Sequence, residues 1–433
     1  MANTASRSLA TSKRNTANTA SRSSTASRKT AADTASRSLA ASRKTTADTT
    51  RRDGAASRKT RKEKPGEVDG VYLILVCILV CFGLVMLISA STPNSVSNNN
   101  PYSTIIKDCI IAALGFATMF GCAFFRDYNF LKKHAKSAYI ISIILMGLVP
   151  IIGVERQGAK RWIGVGSLTF QPSEITKVAM IIFLSALLSA KTPKEMKKWS
   201  NVWRMLMIIG IAAAGAVVQS HLSGAIIITA IGIVILIASG LSGRYILGAG
   251  ACAGLGGVAL ALVEPYRVKR LLGYMHPEKE PLGYGWQILQ SLYAVCSGGL
   301  FGLGLGQSRQ KYNWLPMADN DYIFAVICEE LGMVGGVVVI ILFGLLVWRG
   351  IKIALNARDT FGSYLAFGLS VMVGLQVLIN IAVVLNIIPS TGMQLPFFSS
   401  GGTSLVIMMA AMGIVLNVSR FQKAGADRIH TVK

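Results

Sequence analysis

No aromatic residue occurs in the first 67 positions, and five acids stand there against sixteen Lys or Arg. A segment of that composition cannot bury a core, so no folded domain is expected before Val68. The whole chain is short of acids, with 20 Asp and Glu against 44 Lys and Arg and a formal charge of +24. Seven cysteines are an odd number. Cys77, Cys81, Cys109, Cys122, Cys252 and Cys328 lie in or at the ends of apolar runs, which leaves Cys296 alone outside them. No disulfide framework is implied, and no Cys/His spacing resembles a metal site. The first apolar run is too long for a signal-peptide core and has no A-x-A site after it, so it reads as a retained membrane span.

What the chain does have is apolar length. From Val71 onward, runs of about twenty residues recur, the length that crosses a ~30 Å hydrocarbon layer at ~1.5 Å per residue. The expected spans are 71–91, 104–125, 138–154, 174–190, 205–220, 223–240, 245–263, 322–348, 362–386 and 402–419. Short-loop cations set the orientation. Arg126, Lys132, Lys133 and Lys136 lie in one loop, and Lys191, Lys194, Lys197, Lys198 and Arg204 in another. Arg349, Lys352 and Arg358 lie in a third, and with ten spans all three loops share a side with both termini. The expectation is an all-α polytopic membrane protein with cytoplasmic ends. Its parts are a basic tail over 1–67, a membrane domain over 68–420 and a short basic stretch over 421–433.

The tail repeats TASRS at Thr4, Thr19 and Thr34, with ASRKT variants at Ala41 and Ala56. So short and polar a period is low complexity. It reads as a disordered arm, or as one whose cations lie on anionic lipid until Ser or Thr phosphorylation releases them. The outer side carries the longest connection, the sixty residues from Val263 to Tyr322. A loop of that length and charge is where function is sought.

Cations on the translocated side break the charge rule: Lys160, Arg161, Arg267, Lys269, Arg270, Arg309 and Lys311. Two readings stay open. They are solvated or paired with Glu155, Glu264 and Glu278, or they hold an anionic ligand such as a phosphate or pyrophosphate. Glu174 and Lys177, at i and i+3 where the fourth span begins, either order a polar cavity or lock helices together. Glu329, Glu330 and Asn380 stand inside apolar runs and are expected to face the bundle interior. His221, after Gln219 and Ser220, reads as a hydrogen-bonded helix end. In HPEKEPLGYGWQ, Glu280 precedes Pro281 and a Gly-rich turn, which fixes a carboxylate at the outer boundary, suited to taking a proton from an attacking hydroxyl. Glu278 would serve that argument nearly as well.

Three separated strings carry a family resemblance: GAKRWIGVGSLTFQPSEITK, the loop from PLGYGWQILQ through KYNWLP to DNDYIFAVICEELG, and PSTGMQLPFFSSGGTSL. Together they resemble the SEDS proteins of bacterial envelopes, the FtsW, RodA and sporulation-type polymerases, over about Val71 to Arg420. The resemblance implies a ten-helix glycosyltransferase that polymerises lipid II at the outer face of the cytoplasmic membrane, serving division or sporulation with a class B penicillin-binding protein. It implies that Glu280 stands where the family carries a catalytic Asp, in a pattern like N-P-x-x-D-P-x-G. It also implies substrate contacts at Glu174, Lys177, Ser399, Gly401, Gly402 and the outer cations. Gln219-Ser220-His221 departs from the family's Q-P-D, so no role of that Asp carries over. A divalent ion beside the pyrophosphate is left open, since no carboxylate cluster demands one. Membrane lipids are expected partners and nucleic acid is not. A lipid-precursor flippase and a non-catalytic scaffold are the rival readings.

Overall fold

A computed structural model of the chain describes residues 66–422, apart from positions 98–100, 125, 157–158, 166–167, 193–194, 196–197, 242, 246, 249, 252–253, 255, 258–264 and 280–282. The repeat tail and the last eleven residues lie outside the described residues, and so does Glu280.

Helices dominate. They are α1 Gly70–Ser97, α2 Pro101–Phe124, α3 Asn129–Ile152, α4 Pro172–Ser189, α5 Trp199–Val218 and α6 Leu222–Ala238, then α7 Pro265–Met275, α8 Tyr284–Ser297, α9 Ile323–Asn356, α10 Thr360–Val384 and α11 Gly402–Ser419. Eight of them, all but α6, α7 and α8, are long and apolar enough to cross a membrane. At 17 residues, the apolar α6 sits at the short end of the spanning range. Nine of the ten expected spans are thus helices in the expected order. Of the span expected at 245–263, scattered positions up to 257 fall among the described residues.

The loop expected between the spans 138–154 and 174–190 is folded further than the sequence suggested. Strands β1 Val154–Arg156, β2 Ala159–Val165 and β3 Leu168–Phe170 form an antiparallel meander on the outer side. The period-2 run KRWIGV is short and glycine-flanked, which hides it among loop residues. Among its described residues, the long outer connection carries amphipathic α7, a 3-10 turn at Pro277–Lys279 and α8.

The alternation of sides read from charge is visible in which ends meet. On the tail side, Arg349 at the end of α9 pairs with Asp69 before α1 at 2.9 Å. Arg358 pairs with Asp127 at 3.3 Å, and the Tyr128 hydroxyl donates to Asp359 at 2.8 Å. Buried Asn417 on α11 ties the same end together. Its amide donates to the carbonyls of Cys122, Ala123 and Arg126, at 2.9, 3.1 and 2.6 Å, and its oxygen accepts from the Tyr128 amide at 3.1 Å. Cys122 and Ala123 are among the carbonyls that the end of α2 leaves without intrahelical donors, and Arg126 lies in the turn that follows. Asn417→Ala is therefore expected to lower stability by about 3 kcal/mol, read as a fall in thermal midpoint in detergent. Close packing supports the contact, because a side chain at Gly413 would collide with the Met119 carbonyl.

On the outer half, α9 is broken at Gly332, whose backbone is left-handed at φ 69°. The break frees carbonyls and amides at membrane depth, where they must be satisfied internally. The glycine-rich turn after α8 supplies the partners. Leu303 and Gly304 amides donate to the carbonyls of Glu329 and Glu330, both at 3.0 Å, and Met333 and Val334 amides donate to Gly299 and Leu300 at 2.9 and 3.1 Å. A side chain at Gly332 would collide with Leu300 and Gly302, so only glycine serves there. This exchange pins residues 298–311 against α9 and sets the outer loop over the bundle.

Candidate functional site

Two cavities lie next to each other on the outer half. The first is a groove of about 1440 Å³ between α5 and α6, lined almost wholly by apolar side chains such as Leu206, Ile209, Ile226 and Ile233. The second, about 690 Å³, is walled by polar and charged groups: Lys107 and Asp108 from α2, Gln171 and Glu174 at the start of α4, His221, Asp319 and Asp321, and the 392–403 loop. Arg161 and Arg270 line both. The two guanidiniums therefore stand on the seam between an apolar groove and a polar chamber.

Local structure explains how they come to be there. Arg161 projects from β2 and donates to the Ser220 carbonyl at 2.8 Å, across the turn between α5 and α6. Ser220 itself is held in left-handed backbone, φ 52°. Arg270 comes from α7 in the long connection. Pro172 at the first turn of α4 starts that helix beneath the chamber and puts Glu174 at its positive end, where an anion is favoured. Glu174 receives the Lys177 ammonium at 2.7 Å, with both side chains buried. Glu174 lines the chamber and Lys177 backs it, so the pair is at once a cavity wall and an internal lock.

His221 is buried beside Gln171, with the Gln171 amide nitrogen 3.4 Å from its Nδ1. Burial first, then Arg161 and Lys177, push its pKa down to about 3. At that pKa His221 is neutral near pH 7, so the position where the resemblance would place an Asp contributes no charge to the chamber.

The remaining expected residues divide. Ser399, Gly401 and Gly402 line the chamber. Ser399 also has a structural task, since its hydroxyl accepts from the Leu395 amide at 2.8 Å and donates to the Asn320 carbonyl at 2.6 Å. Lys160 is exposed on β2 opposite Glu155 and does not line the chamber. Arg267 and Lys269 lie on α7. Arg309 is exposed, and its backbone amide donates to Glu329 at 3.0 Å. Lys311, expected among the outer ligand cations, is instead buried with its ammonium 2.9 Å from Glu330 and 3.1 Å from the Ser89 hydroxyl. The reason is the docked turn after α8, which draws the following residues down to the α9 carboxylates. Asn380 faces inward and donates to the carbonyls of Asp321 and Met393 at 2.8 and 2.7 Å. Glu278 is exposed on its 3-10 turn, 3.7 Å from His276.

Sequence reasoning passed over Asp108, Asp319, Asp321 and Gln376, all of which line the chamber. Asp108 carried a usable signal, an ionisable group within an apolar run. Asp319 and Asp321 lay inside a quoted motif without being singled out. Among the described residues, no three His, Cys, Asp or Glu side chains gather closely enough to hold a metal ion.

Comparison with known proteins settles the lineage. The sequence model of the cell cycle protein family FtsW/RodA/SpoVE matches residues 70–424. The chain belongs to that FtsW/RodA/SpoVE family. This family member is 40% identical over 363 residues to stage V sporulation protein E of Bacillus subtilis (strain 168), a match spanning 83% of this chain and 99% of the relative. It is 37% identical over 361 residues to the probable peptidoglycan glycosyltransferase FtsW of Geobacter sp. (strain M18), covering 83% and 98%. Among solved structures, it resembles a chain from a peptidoglycan synthase complex described as coordinating polymerization and crosslinking, with TM-score 0.69 and 28% identity over 82% of this chain and 99% of that one. It likewise resembles the rod shape determining protein RodA of Thermus thermophilus, with TM-score 0.61 and 27% identity over 82% and 98%. As an FtsW/RodA/SpoVE protein with these spans, it is a multi-pass protein of the cell membrane.

Proposed function

We propose that the chain is a peptidoglycan glycosyltransferase that polymerises lipid II into glycan strands at the outer face of the membrane, in division or sporulation, alongside a class B penicillin-binding protein. The observation that carries this reading is the seam. An apolar groove suits a polyprenyl chain, a polar chamber suits sugars, and the two guanidiniums shared by both match the diphosphate that joins them. The names of the relatives support the same reaction class, and the resemblance to a chain of a synthase complex supports a crosslinking partner.

In this reading, Arg161 and Arg270 hold the donor's diphosphate, with the Glu174–Lys177 pair fixing the chamber floor. Glu280 lies on the connection between α7, which delivers Arg270, and α8. Its carboxylate takes the proton of the acceptor sugar's 4-hydroxyl as that oxygen attacks the donor's anomeric carbon, and the lipid diphosphate departs. A glutamate carries its oxygens about 1 Å beyond an aspartate's, a displacement that can cost ~100-fold unless the loop compensates. No step runs through a metal ion.

The test is lipid II polymerisation by the purified chain with a transpeptidase-dead partner, comparing the natural sequence with Glu280→Gln and Glu280→Asp. Polymer is expected from the natural sequence, a loss of about 10²–10⁴-fold with Gln, and retained or higher yield with Asp. Lipid translocation that survives Gln, without polymer from any variant, would make the chain a flippase. Polymer from Asp alone would make the natural chain a scaffold.

A further inference from the structure

The triplet Asp319-Asn320-Asp321 ends the outer loop just before α9. Its backbone is clamped from three places: the Ser400 amide donates to the Asp319 carbonyl at 3.0 Å, Ser399 Oγ to that of Asn320 at 2.6 Å, and Asn380 Nδ2 to that of Asp321 at 2.8 Å. Gln394 Nε2 donates to Asn320 Oδ1 at 2.7 Å. The Asp321 carboxyl lines the chamber, with Oδ1 buried and without a hydrogen-bond partner. Gly392, left-handed at φ 67°, packs beside it, its Cβ position 3.4 Å from Asp321 Oδ2, an ordinary contact. A carboxyl oxygen so fixed and unpartnered is costly unless a ligand or a proton completes it.

We propose that Asp321 is the acid of the transfer: standing by Arg161 and Arg270, its carboxyl protonates the diphosphate oxygen that leaves the donor sugar. The proposal rests on the glycosyltransferase reading above and adds to it a second carboxyl with the opposite task.

The surrounding charges decide that task. Arg270 on α7 and Arg161 on β2 favour the ionised form, and Asp319 opposes it. Lys107 and Asp108 on α2, Glu174 with its partner Lys177 on α4, neutral His221 and the Tyr322 phenol complete the surroundings. Burial outweighs both guanidiniums and lifts the Asp321 pKa to about 6. A diphosphate bound to the same guanidiniums competes for them and adds negative charge, so the pKa rises further and the carboxyl is protonated in the complex at neutral pH. A group that gains its proton when substrate binds is placed to give it up, not to take one. Glu280, in the connection between α7 and α8, takes the other role, so that two carboxyls divide acid from base.

The step balances. The acceptor hydroxyl oxygen forms the new bond to the anomeric carbon and its proton passes to Glu280. The bond from that carbon to the diphosphate oxygen breaks, its electron pair stays on the oxygen, and the proton of Asp321 joins it. Water restores one carboxyl and relieves the other, so no proton is consumed overall.

The experiment uses the full chain with its partner, lipid II as probe, and Asp321→Asn, which matches the protonated carboxyl in shape. Turnover is expected to fall about 100-fold or more while KM stays within about threefold. The alkaline fall in the natural chain's rate should be missing from the residual activity. Calorimetry of lipid II binding in buffers of different ionisation enthalpy should show uptake of about one proton near pH 7.5 by the natural chain and none by Asp321→Asn. Unchanged turnover, a rise in KM alone, or proton uptake that persists in Asp321→Asn and vanishes in Asp108→Asn would overturn the assignment. Should Asp321→Asn fail to fold, Asp321→Glu decides instead: it must keep the uptake and part of the turnover. Failure of the natural chain to make polymer overturns the glycosyltransferase reading itself, an outcome distinct from all of these.

Discussion

Glu330→Ala is expected to cost about 3–5 kcal/mol of folding stability, the largest loss from any single truncation in the outer half of the bundle. The Glu330 side chain is 0% exposed and that of Lys311 1%. Removing the carboxylate leaves the Lys311 ammonium buried with the Ser89 hydroxyl and the Gly306 carbonyl, at 3.1 and 2.8 Å, and with no counter-charge in contact. Ser89 loses an acceptor at 2.7 Å, and the Ser308 amide loses one at 3.3 Å. Glu330→Gln together with Lys311→Met removes both charges and keeps an oxygen for Ser89, so the double variant should recover most of the loss. Unfolding in detergent of the natural chain, Glu330→Gln, Lys311→Met and the pair gives the coupling directly as a double-mutant cycle. Independent, additive costs would show that Glu330 holds α1 and the outer loop through the serines alone. Polymerisation should fail in Glu330→Ala through loss of fold and return in the double variant.

Lys311 also shows where reading the chain by charge reaches its limit. The spans were legible because a bilayer requires long uninterrupted apolar helices, and cation counts in short loops ordered their ends correctly enough that Asp69 meets Arg349 and Asp127 meets Arg358. The same counting treats every outer cation alike. It does not see that the break at Gly332 draws the loop inward and gives Lys311 a partner nineteen residues away. Adjacent Lys160 and Arg161 looked equivalent as letters. On a strand, successive side chains diverge, and only Arg161 reaches the cavities. Asp321 was hidden for the opposite reason. An acid at the end of a polar loop is ordinary in sequence, and becomes distinctive only when Asn380, Ser399 and Gly392 bring three distant segments around it.

That contrast between neighbours gives the sharpest test of the seam. Arg270→Ala and Arg161→Ala are each expected to raise the KM for lipid II by about 30- to 1000-fold, the range for removing one guanidinium from a desolvated ionic contact. Lys160→Ala, one residue from Arg161, should change it by less than about threefold, because an exposed cation is screened by solvent and salt. Arg161→Lys should fall between, since an ammonium keeps the charge but cannot donate to the Ser220 carbonyl and a phosphate oxygen as a planar fork does. Raising the salt concentration should weaken donor binding in the natural chain and do so less in either alanine variant. If Lys160→Ala proves as costly as Arg161→Ala, the diphosphate lies over the exposed face of the sheet and not between groove and chamber. The polyprenyl chain would then have to enter by another path, and Asp321 would be too far from the leaving oxygen to serve it.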